Sequence, residues 1–358
     1  MRIAFITRST LYAIPGGDTV QVQGLVYYLN EMGIKATIHL THEIIDYSGY
    51  DVFHFSNIIR PADILFHINQ TAKPFLVAPI FIDYTEYDRY HRQGLPGFIL
   101  RQFPAGSNEY IKTIGRWLFG KDTLRSPEYI WKGQYKSIRE ILQRAAVVLP
   151  GTEKEYQQLK NIYGIEKKYR IVPNGIDPVL FSPDAAILKE DKLVLCAARV
   201  EGIKNQLNLI RALNDTPYTL LLVGSPAPNQ KKYMAACQKI AARNIIFRER
   251  VTQETLTEYY KKTKVHVLPS WFETCGLSSL EAAAMGCNIV ITDKGYTREY
   301  FGNAAFYCSP GDPASIFRAV ELAAKSEPNT ELQEKIMRIY TWRQVAAITL
   351  DACQTVLT

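Results

Sequence analysis

Two glutamates eight residues apart follow a strand-like run near residue 270. The run VHVLP ends at Ser270, Glu273 lies in the next loop, and Gly276 leads into a helix-forming stretch that contains Glu281. Eight residues of helix rise about 12 Å, which is the scale of an extended sugar–diphosphate–ribose unit. Each carboxylate can accept hydrogen bonds from hydroxyls, and the helix N-terminus near Gly276 offers N–H groups to an anion. Two solvated glutamates at the start of a surface helix would show the same spacing.

Two cations follow an earlier strand, in LCAARVEGIKNQ. Arg199 stands at the end of the strand, and Lys204 opens the next predicted helix. A departing diphosphate needs its developing charge stabilised, and fixed cations and N–H groups can supply this without a metal. Arginine offers a bidentate fork and lysine a compact charge. The alternative is a surface ion pair between Arg199 and Glu201.

Strand-like and helix-like segments alternate along the chain and indicate an α/β protein. The first series predicts strands in RIAFIT, KATIHL, DVFHFS, KPFLVAPIF, AAVVLP and IVPNGID. A second series begins near Lys192 and comprises KLVLCAARV, YTLLLVG, NIIFRER, VHVLPS, CNIVITD and AAFYCSP. Each series predicts a doubly wound parallel sheet, in which ligands bind at the carboxyl ends of the strands. The candidate residues all follow strands.

The length of 358 residues also favours two domains, at about 150 residues for each. We predict an N-terminal domain over 1–178, a C-terminal domain over 179–341 and a final helix over 342–358. Pro173, Pro178 and Pro183 cluster at the boundary. Within the first domain, residues from about 84 to 135 break the alternation and form a predicted insertion rich in aromatic and basic residues.

The composition excludes several classes of protein. Apolar residues make up 47% and charged residues 22%, which is ordinary for a globular chain. No apolar run approaches the 18 to 20 residues that span a bilayer, and MRIAFITRST is more typical of a strand than of a signal peptide. The six cysteines include no C-x-x-C pair and are predicted to be buried thiols. These features predict a cytoplasmic protein.

The net charge of +7 is concentrated in one segment. Residues 86–144 hold eleven Lys/Arg against six Asp/Glu, a net of +5. Such a segment favours anionic partners, and no nucleic-acid motif accompanies it. Trp117, Phe119 and Trp131 among these cations are compatible with peripheral contact at an anionic membrane and with a lipid-linked acceptor. The alternative is a helix that packs its apolar face on the sheet.

The motifs together resemble the retaining family 4 glycosyltransferases of the GT-B fold, over nearly the whole chain and in the family's order. PGGDTVQV resembles the N-terminal glycine loop of the family, and it lacks the G-x-G-x-x-G fingerprint of dinucleotide binding. DVFHFSN, IVPNGID, AARVEGIKN, PSWFETCGLSSLEAAAMG and YTWRQVA are similar to further family elements. The resemblance implies two Rossmann-like domains facing across a cleft, with the last helix crossing back to the first domain.

The resemblance also implies a role for each site residue. Glu273 would bind the transferred sugar and Glu281 the nucleotide ribose, while Arg199 and Lys204 would neutralise the diphosphate. The other implied donor-binding positions are Gly16, Gly17, Thr274, Cys275, Gly276, Leu277, Gly224 and Val251. It implies no cofactor and no metal, in agreement with the lack of a D-x-D motif.

The sequence departs from the family pattern after the fourth strand. Ile80 stands where many members carry a histidine that contacts the donor sugar. Three acids follow, and one of them could orient or deprotonate the acceptor hydroxyl: Asp83, Glu86 and Asp88. In the second domain, Tyr296 replaces a glycine and leaves Gly295 and Glu299 as the matching positions. Charged residues 248–250 also stand where the family has a glycine.

The implied activity is transfer of a hexose, with retention, from a UDP-, GDP- or ADP-sugar to a glycan or lipid-linked glycan. Such transfer is typical of cell-surface polysaccharide or glycoconjugate synthesis. Two alternatives remain open, namely a catalytically silent subunit that binds nucleotide sugars and a sugar-nucleotide epimerase of the same fold. Loss of a glutamate or a cation would favour the silent subunit, and all four residues are present.

Overall fold

The computed structural model describes residues 1–92, 97, 108–119, 123–184 and 186–357. The chain divides into two compact units. The first unit contains residues 1–81, 88–175 and 342–358, and the second contains residues 82–87 and 176–341. The sequence analysis placed the main change of domain at 178/179, and in the structure it falls at 175/176. Arg101, Lys121 and Asp122, counted in the basic segment, lie outside the described residues.

A parallel sheet forms the centre of the first unit, with the strand order β2-β1-β3-β4-β5 in the described part of the chain. Every residue of β3 and β4 is buried, as expected for strands covered by helices on both faces. The strands are β1 (Arg2–Thr7), β2 (Lys35–Leu40), β3 (Val52–Ser56), β4 (Phe75–Ala78) and β5 (Val147–Val148).

The helices of the first unit include the last helix of the described chain, which packs against α1. A Cβ atom at Gly24 of α1 would lie 2.7 Å from the Trp342 ring, so glycine permits this packing. The helices are α1 (Gly17–Glu31), α2 (Pro61–Ile68), α3 (Asn108–Leu118), α4 (Tyr129–Arg144), α5 (Glu153–Tyr163) and α13 (Trp342–Thr355), with a short π-helical turn at Tyr87–His91.

The second unit is built around another parallel sheet, with the order β11-β10-β9-β6-β7-β8. Its strands are β6 (Glu190–Ala197), β7 (Thr219–Val223), β8 (Ile245–Arg248), β9 (Thr263–Leu268), β10 (Asn288–Thr292) and β11 (Phe306–Cys308). Its helices are α6 (Gln206–Leu213), α7 (Lys231–Ile240), α8 (Gln253–Lys262), α9 (Leu277–Ala284), α10 (Thr297–Phe301), α11 (Pro313–Lys325) and α12 (Thr330–Ile339). The prediction of two doubly wound α/β sheets is confirmed.

The prediction of a strand in IVPNGID is wrong. Residues 171–175 are irregular, because Pro173 has no N–H to donate to a sheet ladder. Ile176 instead forms an isolated parallel bridge with Thr341, and its N–H donates to the Tyr340 carbonyl at 2.8 Å. The segment therefore contributes one bridge rather than a sheet strand.

All six cysteines are buried thiols that form no disulfide bond, as predicted. Burial raises the pKa of the Cys196, Cys308 and Cys353 thiols to about 12, so these thiols are neutral at physiological pH. Among the described residues, we find no helix that combines the length and the apolar character needed to cross a membrane.

Candidate active site

Lys204 and Glu273, 69 residues apart in sequence, form an ion pair in the second unit. Lys204 ends a short 3₁₀ turn at Gly202–Lys204, and the helix that it was predicted to open begins at Gln206. Its Nζ lies 2.7 Å from Glu273 Oε2, which also accepts a hydrogen bond from Ser270 Oγ at 3.0 Å. The buried carboxylate thus has a cation and a hydroxyl beside it. The loops after β6 and β9 bring these groups together.

The main chain holds Glu273 in place through residues that follow β10. The Glu273 N–H donates to the Lys294 carbonyl at 3.2 Å, and the Tyr296 N–H donates to the Glu273 carbonyl at 3.0 Å. Gly295 has a φ of +99°, and a Cβ there would lie 2.1 Å from the Glu273 carbonyl oxygen. Only glycine satisfies both conditions. Gly295 therefore fixes the carboxylate loop.

The N-terminus of α9 directly follows this loop. Gly276 precedes the helix with a φ of +76°, and Leu277 is the first helical residue. Because the helix begins at Leu277, only four residue steps up to Glu281 are helical, a rise of about 6 Å. The predicted rise of 12 Å is therefore wrong, since residues 273–276 form a loop. Thr274 and Cys275 lie in that loop, where Cys275 is buried.

Glu281 projects from α9 into a buried, uncharged environment. Its residue surface is 7% exposed, and its Oε2 lies 3.1 Å from the hydroxyl of the fully buried Tyr260. Burial raises the pKa of the Glu281 carboxyl to about 7. The two glutamates that the sequence analysis paired therefore differ in their surroundings.

Arg199 and Gly224 lie at the ends of neighbouring strands, β6 and β7. Arg199 Nη2 pairs with Glu201 Oε1 at 3.1 Å, which is the surface pair that the sequence analysis gave as the alternative. A Cβ at Gly224 would lie 2.0 Å from the Ala198 carbonyl oxygen, so the two strand ends require a glycine here. Val251 follows β8 and packs, partly buried, against the core of this unit.

In the first unit, Gly16 and Gly17 open α1 behind a well-fixed loop. Gly16 is the N-cap residue, and Gly17 is the first residue of the helix. Arg8 binds Asp18 through two bonds, at 2.5 and 2.9 Å, and donates to the carbonyls of Thr10 and Ile14, both at 2.8 Å. The sequence analysis assigned no role to Arg8.

The three acidic candidates after β4 have different environments. Asp88 is buried, and its two oxygens lie 2.6 Å from Arg92 Nε and 2.5 Å from Lys112 Nζ. Glu86 pairs with Lys294 at 3.1 Å, with both side chains partly exposed. Asp83 accepts a hydrogen bond from the Thr85 N–H at 2.9 Å. Asp83 and Glu86 belong to segment 82–87 of the second unit.

Ile80, at the position where the resemblance predicts a histidine, has a strained backbone. Its φ of +48° lies in the left-handed region, where a β-branched residue is a true outlier. Such strain costs about 1–3 kcal/mol and is retained when its surroundings enforce it. The buried Glu155 accepts the N–H bonds of Phe81 and Gly151, both at 2.7 Å, and so supports this turn.

Three aromatic side chains of the basic segment are exposed, whereas Tyr129 of α4 is buried. Tyr110 of α3 contacts Tyr129 of α4, with ring centroids 5.4 Å apart. Phe119 is 80% exposed, Trp131 is 71% exposed and Trp117 is 38% exposed. This part of the segment therefore presents aromatic groups to solvent.

Three residues that contact Glu273 or Glu281 were not predicted from the sequence. They are Ser270, Tyr260 and Lys294, which contact Glu273, Glu281 and the Glu273 main chain respectively. Ser270 lies within the recognised motif and could have been found there. Among the described residues, no group of three His, Cys, Asp or Glu side chains could hold a metal ion.

Comparison of the sequence with known families supports a glycosyltransferase. Residues 181–339 match the family described as Glycosyl transferases group 1. The D-inositol 3-phosphate glycosyltransferase of Kribbella flavida is 26% identical over 245 residues, which are 60% of this chain and 58% of that protein. The poly(glycerol-phosphate) alpha-glucosyltransferase of Bacillus subtilis is 24% identical over 175 residues, which are 48% of this chain and 26% of that protein. The matches thus span from about a quarter to somewhat over half of these relatives' lengths.

Solved structures show the same fold over the full chain. Sucrose-phosphate synthase from Thermosynechococcus elongatus has a TM-score of 0.77 at 16% identity, covering 99% of both chains. HepE of Anabaena, solved in complex with UDP and glucose, has a TM-score of 0.66 at 14% identity, again covering 99% of both. The predicted GT-B class of two Rossmann-like units is confirmed, and the resemblance to group 1 glycosyltransferases is supported.

Proposed function

We propose that this chain is a retaining hexosyltransferase that uses a nucleotide-diphosphate sugar without a metal ion. The observation that carries the proposal is the Lys204–Glu273 pair, fixed by Ser270 and followed at once by the N-terminus of α9. A cation and a carboxylate next to the N–H groups of a helix N-terminus suit a ligand in which a diphosphate is joined to a sugar. The match of residues 181–339 to group 1 glycosyltransferases supports the same activity.

Each group has a distinct role in this proposal. Glu273 accepts hydrogen bonds from hydroxyls of the transferred sugar, and Glu281 accepts them from the nucleotide ribose. Lys204 and Arg199 offset the charge that develops on the departing diphosphate, with the backbone of Thr274, Cys275, Gly276 and Leu277 beside them. Gly224 and Val251 complete the assigned donor positions, while the roles of Gly16 and Gly17 remain predictions of the resemblance.

The acceptor in this proposal is a glycan or a lipid-linked glycan, in polysaccharide or glycoconjugate synthesis. Asp83 and Glu86 are the stronger candidates for orienting its hydroxyl, because Asp88 is buried between two cations. We place the protein in the cytoplasm in this proposal. The exposed Phe119 and Trp131 support its peripheral contact with an anionic membrane. Co-sedimentation with anionic and neutral vesicles tests that contact.

The test of the activity is a time course with UDP-glucose, GDP-mannose and ADP-glucose, with and without a glycan acceptor, followed by NMR. A glycosidic product with the anomeric configuration of the donor supports the proposal, and an inverted product contradicts retention. A new sugar nucleotide formed without acceptor would identify an epimerase. Tight donor binding without any turnover would identify the silent subunit.

A further inference from the structure

We infer that Arg8 is a positioning residue for the donor, which acts by holding the glycine segment and by offsetting the charge of Asp18. The glycine segment is defined here as residues 9–18, which follow β1 and include Gly16 and Gly17. The inference rests on the proposed function, because it takes the two glycines as positions that contact the diphosphate of the donor. The roles of Arg8 and Asp18 are argued from their contacts.

The first argument is that the Arg8 guanidinium uses all its hydrogen-bond donors within the first unit. A guanidinium has five N–H groups. Five oxygens lie 2.5–2.9 Å from its nitrogens, namely both carboxylate oxygens of Asp18, the carbonyl and hydroxyl of Thr10, and the carbonyl of Ile14. A sixth, Thr19 Oγ1, lies at 3.5 Å. The Arg8 side chain is 13% exposed. It therefore influences a ligand through the segment that it holds, rather than by binding a phosphate itself.

The second argument is that the same contacts fix the backbone at the glycines. The Thr19 hydroxyl accepts the Gly16 N–H at 3.0 Å and donates to the Leu11 carbonyl at 3.0 Å. The Leu11 N–H donates to the Arg8 carbonyl at 3.1 Å, so the start of the segment is tied to its end. Because Arg8 bonds oxygens at positions 10, 14 and 18, it constrains the segment along its whole length.

The third argument is electrostatic. Asp18 is the acidic residue in the first turn of α1 and directly follows Gly17. A carboxylate favours the start of a helix, but its charge would repel a diphosphate at the neighbouring glycines. Arg8 binds both of its oxygens, at 2.5 and 2.9 Å, in the bidentate geometry that makes such pairs strong. The pair therefore places no net negative charge beside the glycines.

Isothermal titration calorimetry with UDP-glucose, GDP-mannose and ADP-glucose tests the charge balance. Arg8→Gln leaves Asp18 without its cation, so the Kd should rise about tenfold. Asp18→Asn removes the negative charge but keeps the Arg8 bonds to two main-chain carbonyls, so its Kd should be within about twofold of the wild type or lower. The double variant should lie between Arg8→Gln and the wild type. An equal loss of affinity in the two single variants, or none in Arg8→Gln, overturns the inference.

The salt dependence of binding gives a second measure that a purely structural role would not change. Salt screens the repulsion between Asp18 and the diphosphate, so the ratio of the Arg8→Gln Kd to the wild-type Kd should fall from about tenfold at about 0.05 M NaCl to about threefold at about 0.5 M. A ratio that stays constant overturns the charge role. Arg8→Lys keeps the cation with fewer bonds, so its Kd should lie nearer to the wild type than that of Arg8→Gln.

Arg144→Gln is the matched control in the same unit. Arg144 ends α4 and also bonds a side-chain oxygen, a main-chain carbonyl and a carboxylate, which belong to Asn69, Ile68 and Glu140. Its Kd should equal that of the wild type at both salt concentrations. A loss as large as that of Arg8→Gln would show that the effect comes from general destabilisation of the first unit, and would overturn the inference.

Hydrogen exchange of the free protein separates this inference from the proposed function. The N–H groups of Leu11, Ile14 and Gly16 are bonded within or beside the segment, so they should exchange faster in Arg8→Gln than in the wild type or in Arg144→Gln. Unchanged exchange overturns the inference whatever the donor. If exchange is faster and none of the three sugar nucleotides binds the wild type, the proposed function fails instead, and with it the donor half of the inference.

Discussion

Glu273 and Glu281 are the same side chain, eight residues apart, in opposite electrostatic surroundings. Lys204 and Ser270 compensate the carboxylate of Glu273, whereas Glu281 contacts a phenol and has its pKa raised by burial. The Glu273 carboxylate therefore has a cation and a hydroxyl beside it, whereas the Glu281 carboxyl has a pKa of about 7 and changes its charge near neutral pH. In the proposed function, the first carboxylate binds the reacting sugar and the second binds the nucleotide.

The largest expected effect is that of Lys204→Ala on turnover. Removing the cation leaves Glu273 buried beside Ser270 alone and removes a positive charge from the departing diphosphate. We expect kcat to fall by about 10²–10³ or more, as for other lost charge-stabilising donors. Steady-state kinetics with the donor found by screening measures the change.

Lys261→Ala is the matched control for that variant. Lys261 also pairs with a glutamate at 2.7 Å and has a similar exposed fraction, 23% against 22% for Lys204. Its kcat should stay at the wild-type value. Equal turnover in both variants would show that Lys204 does not act in catalysis. The ion pair of Glu273 would then not distinguish it functionally from Glu281.

Gly295→Ala should displace the Glu273 carboxylate while leaving Glu281 in place. The added Cβ would meet the Glu273 carbonyl at 2.1 Å in a left-handed backbone conformation. We expect about 2–4 kcal/mol of destabilisation and a loss of turnover, since the loop must shift. Denaturant unfolding and kcat measure the two effects.

Gly302→Ala provides the comparison for Gly295→Ala. Gly302 has a φ of +53° with open space around its Cβ position, so its alanine carries backbone strain without the clash. It should cost about 1–3 kcal/mol and retain activity. Indistinguishable variants would mean that the close approach at Gly295 does not hold the carboxylate loop.

Glu281→Gln should change stability in a pH-dependent way. The folded chain binds the Glu281 proton with a pKa of about 7, against 4.5 for an ordinary glutamate, so protonation stabilises the fold. This contribution is fully present below pH 4.5 and is lost as the pH rises through 7. Glutamine does not titrate, so it lacks this loss. The free energy of unfolding of Glu281→Gln should therefore rise relative to that of the wild type by about 1–3 kcal/mol from pH 5 to pH 8.

Urea unfolding at several pH values checks that gain, with Glu258→Gln as the control. Glu258 is exposed and ion-paired with Lys261, so its substitution should give a small difference that varies little over the same range. A constant difference between wild type and Glu281→Gln would show that Glu281 is ionised throughout.

The smallest expected effect is that of removing divalent ions. If Lys204 and the α9 N-terminus supply the positive charge, turnover after EDTA treatment should stay within about twofold of the untreated enzyme. A tenfold or greater loss that magnesium restores would contradict metal independence. The divalent ion would then be a third positive group near Glu273, in addition to Lys204 and the α9 N-terminus.

The sequence predicted the elements better than the contacts. Alternating apolar runs locate most strands, because buried parallel strands require continuous apolar residues. IVPNGID is an exception. Its apolar residues resemble the end of a strand, but Pro173 has no N–H to donate to a neighbouring strand. Helix periodicity likewise failed between Glu273 and Gly276, because the positive φ of Gly276 delays the start of α9 to Leu277.

Side-chain pairings across long separations could not be predicted. Lys204 and Glu273 were both singled out, yet their bond depends on how two strand ends are placed in the sheet. Tyr260 is 21 residues from Glu281 in an unremarkable helix, so no local pattern marks it. Asp88 looked like its neighbours Asp83 and Glu86 until its burial against Arg92 and Lys112 was seen.

The packing of Trp342 against Gly24 has a consequence for synthesis on the ribosome. The first unit includes both α1 and α13, and the whole of the second unit lies between them in sequence. Residues up to 341 are translated before the tryptophan that covers α1. The first unit therefore lacks this helix until the whole of the second unit has been translated.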